Sequence, residues 1–260
     1  MDCINAVTLV AGNVLLEPSR LMPPVKEDVY NSLLFAQLYA DSEFNKYEFP
    51  AQWYKGYIEA MYQSKWLGDQ HGFRYLEPAE QSRVTIEKLV AENLLTRLHK
   101  TRAIDIKEMM AYIGGLPETD AAQVLFRARV LSVAPATAEA GAVLDGRPIS
   151  TLTLHVSVME REGIIDSLFI HFSTTDVMGL DIFHQELRGD RFVGKISVLS
   201  FRRELNRVMY AKVRPDILNF LSDQKDKLIV SVPCRAPDVR RAPDVRREPD
   251  GLPSRSRLDL

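Results

Sequence analysis

The clearest pattern in the chain is a strict alternation of apolar and polar residues from position 151 to position 159. In an extended chain the two sets lie on opposite sides, which is typical of a half-buried strand. Two later runs, residues 165–172 and 192–201, are rich in β-branched and aromatic residues. We therefore predict three antiparallel strands, with one apolar side that other elements must cover.

Apolar residues at helical spacing predict the elements that cover this sheet. Residues 25–41 form one such stripe, and an aromatic-rich segment that begins at Pro50 forms the next. Proline is favoured in the first turn of a helix. Two shorter helices are predicted at residues 84–98 and 106–113, so the first half of the chain is mainly helical.

A closing helix is predicted from residue 205 to residue 221, where apolar residues recur every four positions. We expect a kink or a restart at Pro215, because proline cannot donate to the carbonyl four residues back. Residues 124–133 are predicted as a strand. Two segments stay open: residues 4–16 as a strand or a buried helix, and residues 228–232 as an edge strand or a docked segment.

Together these elements predict an α+β fold, with an N-terminal helical layer and a mainly antiparallel sheet closed by a C-terminal helix. We divide the chain into a helical region (1–117), a β-rich region (118–232) and a tail (233–260). In the tail, Arg-Ala-Pro-Asp-Val-Arg occurs twice in succession and a third copy begins. Such a short, nearly apolar-free repeat predicts disorder.

Composition narrows the possible partners. The 260 residues are 46% hydrophobic and 26% charged, with a net charge of -2, which gives no general attraction to nucleic acid. Two cysteines are too few for a disulfide-stapled scaffold. The apolar N-terminal run lacks the basic start of a signal peptide, so we expect a soluble, cytoplasmic protein and leave open export without a cleavable signal.

Histidines and acids offer the only candidate chemistry. His155 and His171 would lie near each other on the less apolar side of a strand hairpin. A second cluster lies between the strands and consists of Asp176, Asp181, His184 and Glu186. Such side chains can bind a divalent ion, but the spacing matches no calcium or zinc motif. We therefore predict no catalytic residue, no metal site and no cofactor, and favour hydrogen-bonded histidines and solvated acids.

A basic set surrounds the predicted closing helix and is a candidate contact for a membrane or a protein partner. The alternative is a helix packed on the sheet with its polar side in water. The set consists of Arg202, Arg203, Arg207, Lys212 and Arg214.

The pattern Asn-Ser-Leu-Leu-Phe-Ala-Gln-Leu at 31–38, then Trp-Tyr-x-x-Tyr at 53–57 and Trp66, resembles a group of uncharacterised bacterial proteins. Tyr-Ala-Lys-Val-Arg at 210–214 is similar to their closing helix as well. The resemblance covers roughly residues 25–232 and implies that both halves belong to one recurrent architecture. It implies no activity.

Three functions stay open. The leading hypothesis is a non-enzymatic protein that acts through protein–protein contacts, as a self-assembling or accessory component. The alternative is a membrane-active toxin or effector, which the apolar N-terminal segment, the loop at 135–147 and the basic helix favour. The weakest is an unfamiliar enzyme that uses the histidines or the acidic cluster.

Overall fold

The computed structural model describes residues 5–18, 21–68, 73–98, 100–133, 143–144, 147–160 and 163–232. It confirms the α+β class. The strands are β1 Asn5–Val10, β2 Asn13–Pro18, β3 Trp66–Leu67, β4 Arg74–Leu76, β5 Arg83–Val84, β6 Leu131–Val133, β7 Val143–Leu144, β8 Arg147–Pro148, β9 Ser150–Met159, β10 Ile164–Thr174, β11 Leu187–Arg188, β12 Phe192–Leu205 and β13 Ile229–Val232. The helices are α1 Pro23–Glu43, α2 Pro50–Gln63, α3 Ile86–Asn93, α4 Lys100–Gly114, α5 Ala121–Val130, α6 Arg207–Leu221 and α7 Gln224–Leu228, with short 3₁₀ turns at Leu95–Arg97 and Gly189–Arg191.

One sheet organises the molecule, with the strand order β13-β1-β2-β9-β10-β12-β3 and with β6 and β4 added on β9 and β12. Its centre is the antiparallel meander β9-β10-β12, whose strands lie in chain order with the two-residue β11 between β10 and β12. In the register of β9 and β10, Val156 lies opposite Leu168 and His155 lies opposite Phe169. The pair β2–β9 is parallel, whereas the other pairs are antiparallel. The three strands predicted from alternation are confirmed.

Helices cover both faces of this sheet, so the sheet is the middle of three layers. α1, α2 and α6 pack on one face around Trp53, Trp66 and Phe169. α3, α4 and α5 pack on the other face around Phe126 and Leu168. The sequence predicted helices before the strands, but it did not place them on opposite faces. Residues from both predicted regions enter the same sheet and both cores, while the boundary at residue 117 stays a prediction.

The predicted strand at residues 124–133 is wrong over most of its length. Asp120 caps a helix there, since its carboxylate accepts from the backbone N–H of Ala122 at 2.8 Å. The four-residue spacing of Ala122, Phe126 and Val130 then turns one side of α5 into the core. Only the last three residues of the segment are extended, as β6. Helical spacing therefore overrode the apparent alternation.

Both open segments are strands. Residues 4–16 contain β1 and most of β2, which form a hairpin whose turn residue Ala11 has a φ of 50°. β13 pairs with β1 at the edge of the sheet. The closing helix α6 runs through Pro215 without a break, so the expected restart is absent there. The predicted disordered tail and most of the predicted loop at 135–147 lie outside the described residues.

In the described part of the chain, no helix is both long enough and apolar enough to span a bilayer.

Candidate functional site

The two faces of the β9–β10 hairpin differ in chemistry although helices bury both. We call the face towards α3, α4 and α5 the aliphatic face; it carries Leu152, Leu154, Val156, Val158, Leu168, Ile170 and Phe172. At one end of this face Asp166 lies opposite Val158 and pairs with Arg202. We call the opposite face, towards α1 and α2, the polar face; it carries Thr151, Thr153, His155, Ser157, Ser167, His171 and Ser173, together with the apolar residues Met159, Ile165 and Phe169. Strand alternation places these sets on opposite sides.

Cross-strand hydrogen bonds satisfy many of the polar side chains on the polar face. The hydroxyls of Ser157 and Ser167 are 2.7 Å apart, and both residues are almost fully buried. Thr151 and Ser173 form a second hydroxyl pair at 2.8 Å. Because each pair joins β9 to β10, these bonds lie within the hairpin and do not depend on the helices above it. The polar face is therefore a self-contained property of the hairpin.

The two predicted histidines lie on this polar face, as the sequence predicted. His171 Nδ1 is hydrogen-bonded to Thr153 Oγ1 at 2.9 Å. His155 is enclosed by aromatic rings, with its ring centre 4.8 Å from that of Tyr57 and 4.9 Å from that of Phe169. Its Nε2 has no hydrogen-bond partner among the described residues.

Burial keeps both histidines neutral. It lowers the pKa of His155 to about 3, and the nearby Lys46 ammonium lowers it further in the same direction. Burial also lowers the pKa of His171 to about 4. A neutral, buried imidazole fits a structural role in the core better than a role as a general base near neutral pH. Protonation of either ring would place a charge beneath the helical layer.

The predicted acidic cluster is occupied by local turn contacts. Asp176 accepts from the backbone N–H of Arg188 at 2.8 Å. Asp181 accepts from two backbone N–H groups and lies 2.8 Å from Nδ1 of His184, while Glu186 is exposed. Within the described ranges, no three His, Cys, Asp or Glu side chains form a group that could hold a metal ion.

The predicted basic set does not form one surface. Arg202 pairs with Glu160 and Asp166, and Arg214 pairs with the buried Asp28 of α1. Arg203 is 2% exposed and its guanidinium carbon lies 4.6 Å from the ring centre of Tyr62. Arg207 is half-buried. Within the described ranges, Lys212 is the one member of this set that is exposed and forms no ion pair.

Sequence reasoning missed a polar cluster where α1, the α1–α2 connection and α5 meet. Asp41 accepts from the indole N–H of Trp53 at 2.7 Å and also pairs with Arg129. The Lys46 ammonium and the Tyr47 hydroxyl both donate to the backbone carbonyl of Arg129. We call these five residues the clasp, because they join α1 and α2 on one face to α5 on the other. Arg129 follows Asp41, Lys46 and Tyr47 by more than 80 positions, so no local signal in the sequence joins it to them.

Comparison with known proteins adds little to this geometry. No family model matches the chain, and no curated protein matches it. Among solved structures, one described as "delta-endotoxin" is similar over 75% of this chain and 81% of its own, with 11% sequence identity and a TM-score of 0.38. A likeness this weak carries no argument about fold or function.

Proposed function

We propose that this protein acts on lipid bilayers and that the β9–β10 hairpin is the part that enters them. The observation that carries the proposal is the two-faced hairpin: one side carries a run of apolar side chains that ends at Asp166, and the other carries paired hydroxyls and imidazoles. A sheet covered by helices on both faces is usually apolar on both. Burial in this fold therefore explains the aliphatic face but gives no reason for the polar one.

The length of the hairpin fits a bilayer. β9 has 10 residues and β10 has 11. At about 3.3 Å per residue each strand extends over roughly 33–36 Å, which is close to the hydrocarbon thickness of about 30 Å. The aliphatic face would contact acyl chains, and the polar face would turn away from them.

Topology allows the hairpin to be uncovered without taking the meander apart. The helices α1 and α2 precede β3, and α3, α4 and α5 form a continuous run between β5 and β6. None of these helices connects one meander strand to the next, so either layer can move away while β9, β10 and β12 stay paired. The hydroxyl pairs remain satisfied during such a movement because both partners of each pair lie in the hairpin.

The direct test is release of a trapped dye from vesicles of neutral and of anionic phospholipid, at neutral and at acidic pH. The proposal predicts release, with the hairpin protected from added protease in the vesicle-bound state. A protein that neither binds nor permeabilises any of these vesicles would contradict it.

A sharper form of the dye-release experiment uses the variant Ser157→Ala/Ser167→Ala. Removing both partners of a buried hydroxyl pair costs little folding stability, yet it makes the polar face apolar at that level. We expect a folded protein with reduced dye release. The matched control is Ser42→Ala/Ser82→Ala, which removes two hydroxyls outside the hairpin and should leave release unchanged.

The leading hypothesis of protein–protein contacts is favoured by a different observation, on α6. Val208 is 77% exposed and Phe220 is 48% exposed, although the sequence pattern predicts an inward apolar stripe there. Light scattering of the full chain and of a chain ending at residue 233 tests this candidate. An oligomer that Val208→Asp dissociates would support it, and a monomer in both chains would contradict self-association.

A further inference from the structure

A cavity of about 320 Å³ opens beside the clasp. Four of the clasp residues, Asp41, Lys46, Tyr47 and Arg129, line it together with the neighbouring Asn45. Its walls come from the end of α1, the connection to α2 and the end of α5. This volume is at the lower end of the range for sites that hold small organic molecules.

The charges around the cavity are not balanced. Both carboxylate oxygens of Asp41 are engaged, one by the indole of Trp53 and one by the guanidinium of Arg129. Lys46 is only 8% exposed, and in the described ranges no carboxylate lies within ion-pair distance of its ammonium. The described lining thus carries two cations and one anion.

The Lys46 ammonium keeps hydrogen-bonding capacity for a ligand. Of its three N–H donors, one donates to the carbonyl of Arg129. The Nζ atom lies 5.3 Å from the ring centre of Tyr47 and 5.9 Å from that of Trp53. A buried ammonium held by a carbonyl and two rings is stabilised less than one paired with an anion.

We infer that this cavity binds the phosphate group of a small molecule or of a lipid headgroup, with Lys46 and Arg129 as the cationic contacts. Guanidinium and ammonium groups are the usual partners of phosphate in proteins. A bound phosphate would supply the missing counter-charge. The site is independent of hairpin insertion, since it lies at the clasp and its occupancy can be measured without any membrane.

Phosphate binding at this site should change the protonation of Lys46, which can be measured. Burial lowers the pKa of Lys46 to about 8, while Asp41 raises it and Arg129 lowers it by smaller amounts. The groups that face it are Asp41, Arg129 and Tyr47 around the cavity and neutral His155 from β9. A bound phosphate dianion raises the pKa of Lys46, so binding at pH 9 takes up a proton.

The experiment is titration calorimetry of the full chain with inorganic phosphate and with glycerol 3-phosphate, with the ionic strength matched by sodium chloride. We expect saturable binding by the wild-type chain and about tenfold or weaker binding by Lys46→Gln. Lys55→Gln, at an exposed position of α2, is the matched control and should bind as the wild type does. Absence of saturable binding, or equal binding by Lys46→Gln, would overturn the inference.

A second measurement keeps the test decisive if Lys46→Gln does not fold. In the wild-type chain at pH 9, the apparent binding enthalpy should change with the ionisation enthalpy of the buffer, which reports proton uptake. Enthalpies that are the same in all buffers would contradict the assignment of Lys46.

Vesicles that contain phosphatidic acid distinguish a lipid headgroup from a soluble phosphate compound as the ligand. If the headgroup is the ligand, vesicle binding weakens in Lys46→Gln and glycerol 3-phosphate competes with it. If a soluble phosphate is the ligand, the calorimetric result stands while vesicle binding is the same in wild type and variant.

Discussion

The two faces of the central sheet have similar burial and different chemistry. Val156 on the aliphatic face and Ser157 on the polar face are adjacent in β9, and both are 0% exposed. Val156 belongs to a cluster of buried apolar side chains, whereas the Ser157 hydroxyl is hydrogen-bonded to that of Ser167. Burial accounts for the first residue and not for the second, because an apolar residue would fill the same space without a partner.

The polar face is stable in this fold because aromatic rings and hydroxyl pairs share it. Phe169, Trp53 and Tyr57 pack around His155, while the hydroxyls pair with one another beside them. The proposed function attributes the difference between the faces to a second environment, in which the two sides of the hairpin meet different surroundings. This is the central claim of the proposed function.

The largest expected effect is on the aliphatic face. Val156→Asp places an unpaired carboxylate among aliphatic side chains, which costs several kcal/mol, and we expect the folded state to be lost. Circular dichroism and urea unfolding measure this. The same substitution at the exposed Val208 should change stability by no more than about 0.5 kcal/mol. A well-folded Val156→Asp would mean that this face is not a dry core.

The next effect concerns the aromatic side chains of the polar face. Phe169→Ala removes ring contacts to Tyr54, Phe73 and His155 and should destabilise the protein by about 3–5 kcal/mol in urea unfolding. Phe49→Ala, at a 48% exposed ring, is the control and should cost far less. Equal costs would show that the buried ring of Phe169 stabilises the fold no more than an exposed ring does.

Acidification should weaken the polar face selectively. The folded-state pKa values of His155 and His171 are about 3 and about 4, below the ordinary value of 6.5, so the unfolded chain takes up protons first. Their contribution to stability is complete above pH 6.5 and is lost as the pH falls towards the folded-state values, by up to about 1.4 kcal/mol per pH unit for each histidine.

Urea unfolding at a series of pH values between 7.5 and 5.5 checks this slope. His155→Leu should reduce the slope, whereas His184→Leu in the partly exposed loop serves as the control for loss of a histidine. If both variants keep the wild-type slope, the acid sensitivity originates elsewhere in the molecule.

The smallest expected effect separates pairing from burial on the polar face. Ser157→Ala alone leaves the Ser167 hydroxyl without its partner and should cost about 1–3 kcal/mol, while the double variant with Ser167→Ala should cost less than either single variant. A double-mutant cycle from urea unfolding measures the coupling. Additive costs would indicate that the two hydroxyls do not depend on each other.

Much of the fold could be predicted from periodicity. The alternation at residues 151–159 defined β9 and both of its faces, and the stripe at residues 25–41 defined α1. The error at residues 124–133 arose because α5 is short and ends directly in β6. A three-residue strand then continues the apolar pattern of the helix, and no local signal marks the boundary.

The sequence predicted site residues correctly only where the alternation within a strand determines the face on which they lie. The placement of His155 and His171 on one face follows from their parity in two adjacent strands. The clasp was not predictable, since Lys46 and Arg129 meet only after helices from opposite layers pack together. The burial of Arg203, a residue of β12 beside Tyr62, was also missed, because arginine side chains are rarely fully buried.

The most direct measurement of the central claim is the depth of successive β9 residues in vesicle-bound protein. Single-cysteine variants at positions 154, 155, 156 and 157, in a chain with both native cysteines replaced by serine, carry an environment-sensitive dye, and brominated lipids quench it. The account predicts quenching with a period of two, strong at Leu154 and Val156 and weak at His155 and Ser157. Uniform quenching along β9, or no quenching at any of the four positions, would contradict it.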